Sequence, residues 1–511
     1  MERKIVFIMW VLISCITTTV YTQPGNIFFN VKEYGAKGDG KALDSKAINK
    51  AIDAASKSGG GTVFVPAGSY LCGSIHLLSN ISLFLDQGAT IVAATVSAEN
   101  EYDEEEPGAN NQFQDAGHSH WHNSLIWGED LHDISILGQG IINGQNLYKD
   151  WADGNMQSAN KSIALLRCKN VTIRDISILH GGWFAILATG VDNFTLDNVK
   201  IDTNRDGLDV DCCKNVHISN CFVNSPYDDG ICLKSTFALG YARATENVTI
   251  TNCQVSGYDE GSLLDGTYKR TENPYYHFSP AGRIKFGTES NGGFKNITIS
   301  NCIFDYCRGL ALETVDGALL EDVTINNITM RDIVNDPIFL RLGARMRAPQ
   351  GTPVGELRRI IISNVVVYNA NALNACTISG IPGHDIEDVS LSNIKIYYAG
   401  GGTPNQSDTI PENENEYPEP GMFGISPAYG LFIRHAKNIM ITDVQFNFAK
   451  EDARPAFRFD NVEGVYMHHV TAQRKEGVAA ILLKAVSDFS IYQSEGIRDQ
   501  KISKAVQSKL K

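Results

Sequence analysis

The chain has 511 residues, of which 43% are hydrophobic and 20% charged, with a formal net charge of −14. This is the composition of a folded protein, and its acidic balance argues against nucleic acid or an anionic membrane surface as a partner. A polyanionic ligand would need a local cationic patch.

The first residues read as an export signal. Met1-Glu2-Arg3-Lys4 is charged, and the apolar run Ile5 to Ile13 is too short to span a bilayer. Val20-Tyr21-Thr22 before Gln23 suits ordinary cleavage and removal of residues 1–22. Leu12-Ile13-Ser14-Cys15 instead reads as a lipobox, with a lipid anchor at Cys15. A secreted or periplasmic location is expected, or an outer-membrane lipoprotein under the second reading. No later stretch reads as a membrane span, and residues 23–511 read as one domain.

Tyr34 to Gly40 is a glycine-rich turn without the lysine and serine spacing of a phosphate loop, and reads as structural. From Asp44 to Lys57 the apolar residues Ala47, Ile48, Ala51, Ile52 and Ala55 recur at helical spacing, and Gly59-Gly60-Gly61 ends the run. Thereafter one short motif repeats. Asn170-Val-Thr-Ile-Arg-Asp-Ile is followed by versions starting at Asn193, Asn215, Asn247, Asn296, Asp322, Arg359, Asp388 and Asn438. Each alternates apolar and polar residues and carries Asn or Asp for the bend. The shortest spacing matches one coil of a parallel β-helix. The expected fold is therefore all-β, a right-handed single-stranded parallel β-helix with a short N-terminal capping helix. Segments 101–111, 257–281 and 400–421 read as loops beside the stack.

Cys221, Cys253 and Cys302 each follow an Asn at the same phase, which predicts one inward column of buried free thiols rather than bridges. No Cys-x-x-Cys pair appears, and no metal or other cofactor is expected.

The chemistry-bearing residues lie in the middle of the repeats. Asn204-Arg205-Asp206-Gly207-Leu208-Asp209 is followed about one repeat later by Asp228-Asp229-Gly230. Carboxylates brought to neighbouring turns cannot all ionise freely, which splits them into acid and base. Glycoside hydrolysis needs that division. Asp209 and Asp211 read as backbone-bonding bend residues.

From about Val31 to Val470 the chain resembles glycoside hydrolase family 28, the polygalacturonase and rhamnogalacturonase family, with its pectin-lyase-like fold. Asn204-Arg205-Asp206-Gly207 is similar to the family's Asn-Thr-Asp-Gly, with Arg205 replacing Thr or Ser, and Asp228-Asp229 matches its Asp-Asp pair. The resemblance implies an inverting hydrolase with Asp228 as general acid and Asp206 and Asp229 activating the water. It also implies departures. The family His falls on Ala281 or Gly282, leaving the lone loop residue His277 as a stand-in, and Ala311 and Glu313 replace the two cations of the uronate-holding Arg-Ile-Lys.

Arg283 and Lys285 share one strand face about one coil earlier, and in-register pairing would set Lys285 beside Glu313. The pair is expected either to be a relocated clamp or to be spent on Glu313, leaving a neutral sugar to be bound. Asn204, Arg283, Lys285, Glu313 and Glu289 are the candidate substrate-binding residues. Trp127, Trp183 and Tyr306 are candidates for stacking on sugar rings. The expected ligand is an α-linked pectic polysaccharide or oligosaccharide, acted on by a monomer. A lyase on the same fold and a non-catalytic glycan-binding β-helix are the alternatives, though the clustered calcium ligands of a lyase are not evident.

Overall fold

The computed structural model describes residues 28–97, 101–147, 160–270, 280–403 and 410–511. Both cleavage motifs and His277 lie outside these residues. Among the described residues, no helix is long and apolar enough to cross a membrane.

The strands form one right-handed parallel β-helix, as the repeats predict. Val171, Phe194, Val216, Val248, Ile297 and Val323 are register partners in successive coils. All six point into the core, while the residues between them face outward. Burying such a column over many coils supplies the hydrophobic stabilisation that no single coil could provide.

The bends explain the recurring asparagine. Asn193, Asn215, Asn247 and Asn296 have φ of 54°, 59°, 57° and 58°, the left-handed region that Asn tolerates better than most residues. Their amides form a ladder: Asn215 donates to Asn193 at 3.0 Å, Asn247 to Asn215 at 2.9 Å, and Asn296 to Asn247 at 2.7 Å. The same residue type thus turns the chain and ties each coil to the previous one.

Both ends are closed. The helix Ser45–Lys57 buries Ala47, Ile48, Ala51, Ile52 and Ala55 over the first coils. Asp44 at its start accepts from the Lys37 and Gly38 N–H groups at 2.7 and 2.9 Å, so it organises the preceding glycine-rich turn rather than the helix end. At the other end, Gln500–Leu510 pairs antiparallel with Ile481–Tyr492 and covers the last parallel edge. Cys221, Cys253 and Cys302 are buried and unbridged, following the paired positions Ser219, Thr251 and Ser300.

Candidate active site

Two consecutive coils build the acidic centre. Asp206 precedes the strand Leu208–Asp211 and Asp229 precedes Ile231–Ser235, each by the same offset, and Leu208 pairs with Ile231. Asp206 and Asp229 are therefore equivalent residues one rung apart. Gly207 between them is required, because a Cβ there would lie 2.6 Å from Gly230 O and 2.4 Å from Val223.

The Asp229 N–H is shared by Asp206 Oδ1 at 3.0 Å and Asp228 Oδ1 at 3.1 Å. One donor thus gathers both other carboxylates. One oxygen from each of the three lies within 4.8 Å of the others. This is tighter than the roughly 6.5–9.5 Å separation expected for an inverting pair. The cause is local: two residues are adjacent in the chain, the third is one rung away, and one N–H holds them together.

Their environments differ sharply. Asp206 is buried, and burial followed by the charges of Asp209 and Asp228 pushes its carboxyl well above the usual range. Asp229 is equally buried, yet Lys285 and Arg283 outweigh that burial and hold it well below the usual range. Arg283 Nε lies 2.7 Å from Asp229 Oδ1, and Lys285 Nζ lies 3.3 Å from Oδ2. The Asp228 side chain alone is open to the cleft, at 32% exposure, and Arg205 Nη2 donates to it at 3.2 Å.

Three carboxylates this close could bridge a divalent cation. Arg283, Lys285 and Arg205 already meet that charge, so a cation would have to displace ion pairs the protein has built. The donor set fits an acid–base centre better than a metal site.

The remaining candidates fall as follows. Arg283 and Lys285 do face Asp229, but each side chain is 1% exposed, so neither is offered to a ligand. Lys285 pairs in register with Ala311, not with Glu313 as expected, because the coil joining the partners is two residues shorter than a Glu313 pairing needs. Its amino group still reaches Glu313 at 3.5 Å. Glu313 is wholly buried, and burial pushes its carboxyl up to about 7. Glu289 is buried in the cleft wall, 3.1 Å from Lys234 and paired with Arg347. The Asn204 side-chain oxygen is buried without a hydrogen-bond partner among the described residues.

Each of the three candidate stacking rings already has a side chain packed against it. Arg205 lies 4.0 Å over Trp183, His122 is 4.0 Å from Trp127, and Arg270 is 4.5 Å over Tyr306. Asp211 bonds Thr236 N at 2.8 Å, in keeping with a bend residue. Asp209 does not: it meets His118 Nε2 at 3.1 Å, with both side chains buried. Burial disfavours the imidazolium, but the Asp209 carboxylate prevails and raises His118 above its ordinary value.

The cleft, of about 330 Å³, is lined by Asp206 and Asp228 together with residues from distant segments. His118 and Asp115 enter from the N-terminal side, Arg347 from a later loop, and Tyr417 from the segment after residue 409. Tyr417 shares hydrogen bonds with Lys285 and Thr288 at 3.2 and 2.8 Å. Glu419 on the same segment caps Arg283 and Arg308. These partners have no repeat phase to reveal them. His118-Ser119-His120-Trp121-His122 was the one available signal, a histidine cluster in an otherwise histidine-poor chain.

Residues 28–256 match the family model described as rhamnogalacturonase A/epimerase, pectate lyase-like. A probable polygalacturonase of Vitis vinifera is 26% identical over 427 residues, covering 75% of this chain and 80% of that protein. An exo-poly-alpha-D-galacturonosidase of Dickeya chrysanthemi is 31% identical over 308 residues, 57% of this chain and 42% of that protein. A solved family 28 exopolygalacturonase of Yersinia enterocolitica has a TM-score of 0.63 at 18% identity, covering 86% of this chain and 78% of that one. That last likeness concerns the fold. Together they bear out the resemblance drawn from the motifs.

Proposed function

We propose that this chain, a pectin-lyase-like protein of the polygalacturonase family, is a glycosidase that hydrolyses α-linked bonds of a pectic polysaccharide with inversion. The observation that carries the reading is the carboxylate trio with one member open to the cleft and two beneath it. Asp206 and Asp228 accept from the same Asp229 N–H. Burial, with the charges of Asp209 and Asp228, favours the protonated form of Asp206. Asp228, the exposed member, is placed to protonate the leaving oxygen as general acid. Asp229, held ionised by Arg283 and Lys285, is the acceptor for the proton of an attacking water.

Stereochemistry is argued from access. A retaining reaction needs a second carboxylate that can touch the anomeric carbon. Asp206 and Asp229 are each 2% exposed, and both Asp229 oxygens are engaged, so they act more readily through a water. The close spacing is the countervailing feature, and NMR of the first-formed anomer decides between the two outcomes.

For substrate, we favour a branched or mixed pectic region such as rhamnogalacturonan. Ala311 and Glu313 stand where the resemblance expects uronate-holding cations, and Arg283 and Lys285 are buried on Asp229. Product profiles on homogalacturonan, rhamnogalacturonan and neutral α-glycans test this. Cleavage of plain homogalacturonan as fast as branched pectin would falsify the substrate choice. The proposed working unit is the domain of residues 23–511, either exported after loss of residues 1–22 or tethered through the retained residues 15–22 by lipid at Cys15.

A further inference from the structure

We infer that the cleft is blind at both ends along the β-helix axis, so that it accepts the end of a glycan and removes units from that end. This inference rests on the glycosidase reading for its chemistry, but the closure itself is read from packing.

An open groove on a β-helix would follow the outward column that runs through the catalytic coils. Here that column comprises Ala164, Leu187, Asp209, Cys232, Lys285, Ala311 and Phe339, partners from rung to rung. A polymer lying through the site would need its flanks bare. They are covered. On the N-terminal side Ala164 and Leu187 are fully buried beneath a cluster that includes Trp121, Trp183 and Phe184. On the C-terminal side Ala311 and Phe339 are buried against Phe423, with Ile410 and Met422 packed around them.

The C-terminal plug is anchored by polar contacts as well. Arg341 donates to the carbonyls of Glu412 and Asn413 at 3.0 and 3.1 Å. Arg434 donates to Pro411 O at 2.7 Å and stacks 4.7 Å over Phe423. Both cations are buried, so freeing the segment would take these carbonyl partners from both and leave them their bonds to Ser379. The N-terminal plug is braced in turn: Asp115 accepts from Trp183 Nε1 at 3.3 Å, and Phe237 N donates to Gln114 Oε1 at 3.1 Å. What remains between the plugs is the cavity of about 330 Å³ beside Asp228. That is at the small end of ligand pockets, which run from about 300 to 1,000 Å³. A chain terminus fits such a space, whereas a continuous strand has no exit.

The test counts chain ends. Homogalacturonan and rhamnogalacturonan backbones are each prepared at several average lengths and bound, at equal mass, to the Asp228→Asn protein. Binding should strengthen in proportion to the number of ends as the chains shorten. The wild-type enzyme should release one small product from the first minutes, with little loss of viscosity. Doubling up Phe423→Ala with Arg434→Ala, to loosen the C-terminal plug, should add longer products. Binding that follows mass irrespective of length, or a ladder of intermediate sizes with an early viscosity drop in the wild type, would overturn the inference. End-dependent binding with no hydrolysis of any glycan would keep the blind pocket and sink the glycosidase reading instead.

Discussion

Arg283 donates its Nε to Asp229 Oδ1 at 2.7 Å, with both side chains withdrawn from solvent. The pair brings a cation from the next coil onto the carboxylate assigned to the water, and Lys285 reinforces it from the same strand face. Removing one partner of a buried ion pair leaves an uncompensated charge, at a cost of about 3–5 kcal/mol. Arg283→Met should therefore lower stability by roughly that amount. It should also let the Asp229 carboxyl rise from its depressed position, so the acidic limb of the kcat/KM profile moves to higher pH. An unmoved acidic limb would mean that Asp229 is not the essential base.

Asp228→Asn should cut turnover by roughly 10²- to 10⁴-fold, the usual contribution of a positioned acid. Its side chain is partly exposed and, among the described residues, bonded only to Arg205 and the Asp229 N–H, so denaturant midpoints should barely change. Asp206→Asn should lose activity to a similar degree. Near wild-type rates from both variants on a substrate the wild type cleaves would remove the acid–base assignment.

The cysteine column yields a reagent test. Cys221, Cys253 and Cys302 are buried and unbridged, and their neighbours in the core leave no path for a reagent. Native protein should therefore react slowly with a bulky disulfide reagent and fully after denaturation. Reductant should leave Tm unchanged. A drop in Tm with reductant would reveal a bridge and upset the coil register.

Asp336 offers a pH test away from the acid–base trio. Burial pushes its carboxyl up to about 7, against the favourable bonds from Thr377 and Asn374. A carboxyl raised in the folded state contributes stability that is present in full below its unfolded pKa and lost as pH rises through the folded value. Wild-type stability should thus decline from this residue between about pH 4 and pH 7, by a few kcal/mol in total. Asp336→Asn should match the wild type near pH 4 and exceed it at pH 8. Parallel stability curves across that range would show that Asp336 is ionised at no cost.

The fold was written in local pattern. Alternation sets the inward column, and asparagine at the bends supplies both the left-handed turn and the amide ladder, so neither needs distant information. The acidic centre was legible for the same reason: Asp206 and Asp229 hold one phase of a repeat, and equal phase becomes adjacency once coils stack. The tertiary structure decided everything supplied by unrepeated segments. His118 meets Asp209 across 91 residues, and Glu419 caps Arg283 across 136, with no periodicity linking them. Arg283 and Lys285 show the boundary most clearly. Strand alternation puts them on the outward face, which on a bare β-helix is exposed. The segment carrying Tyr417 and Glu419 covers that face, turning two would-be ligand cations into the buried charges that hold Asp229 ionised.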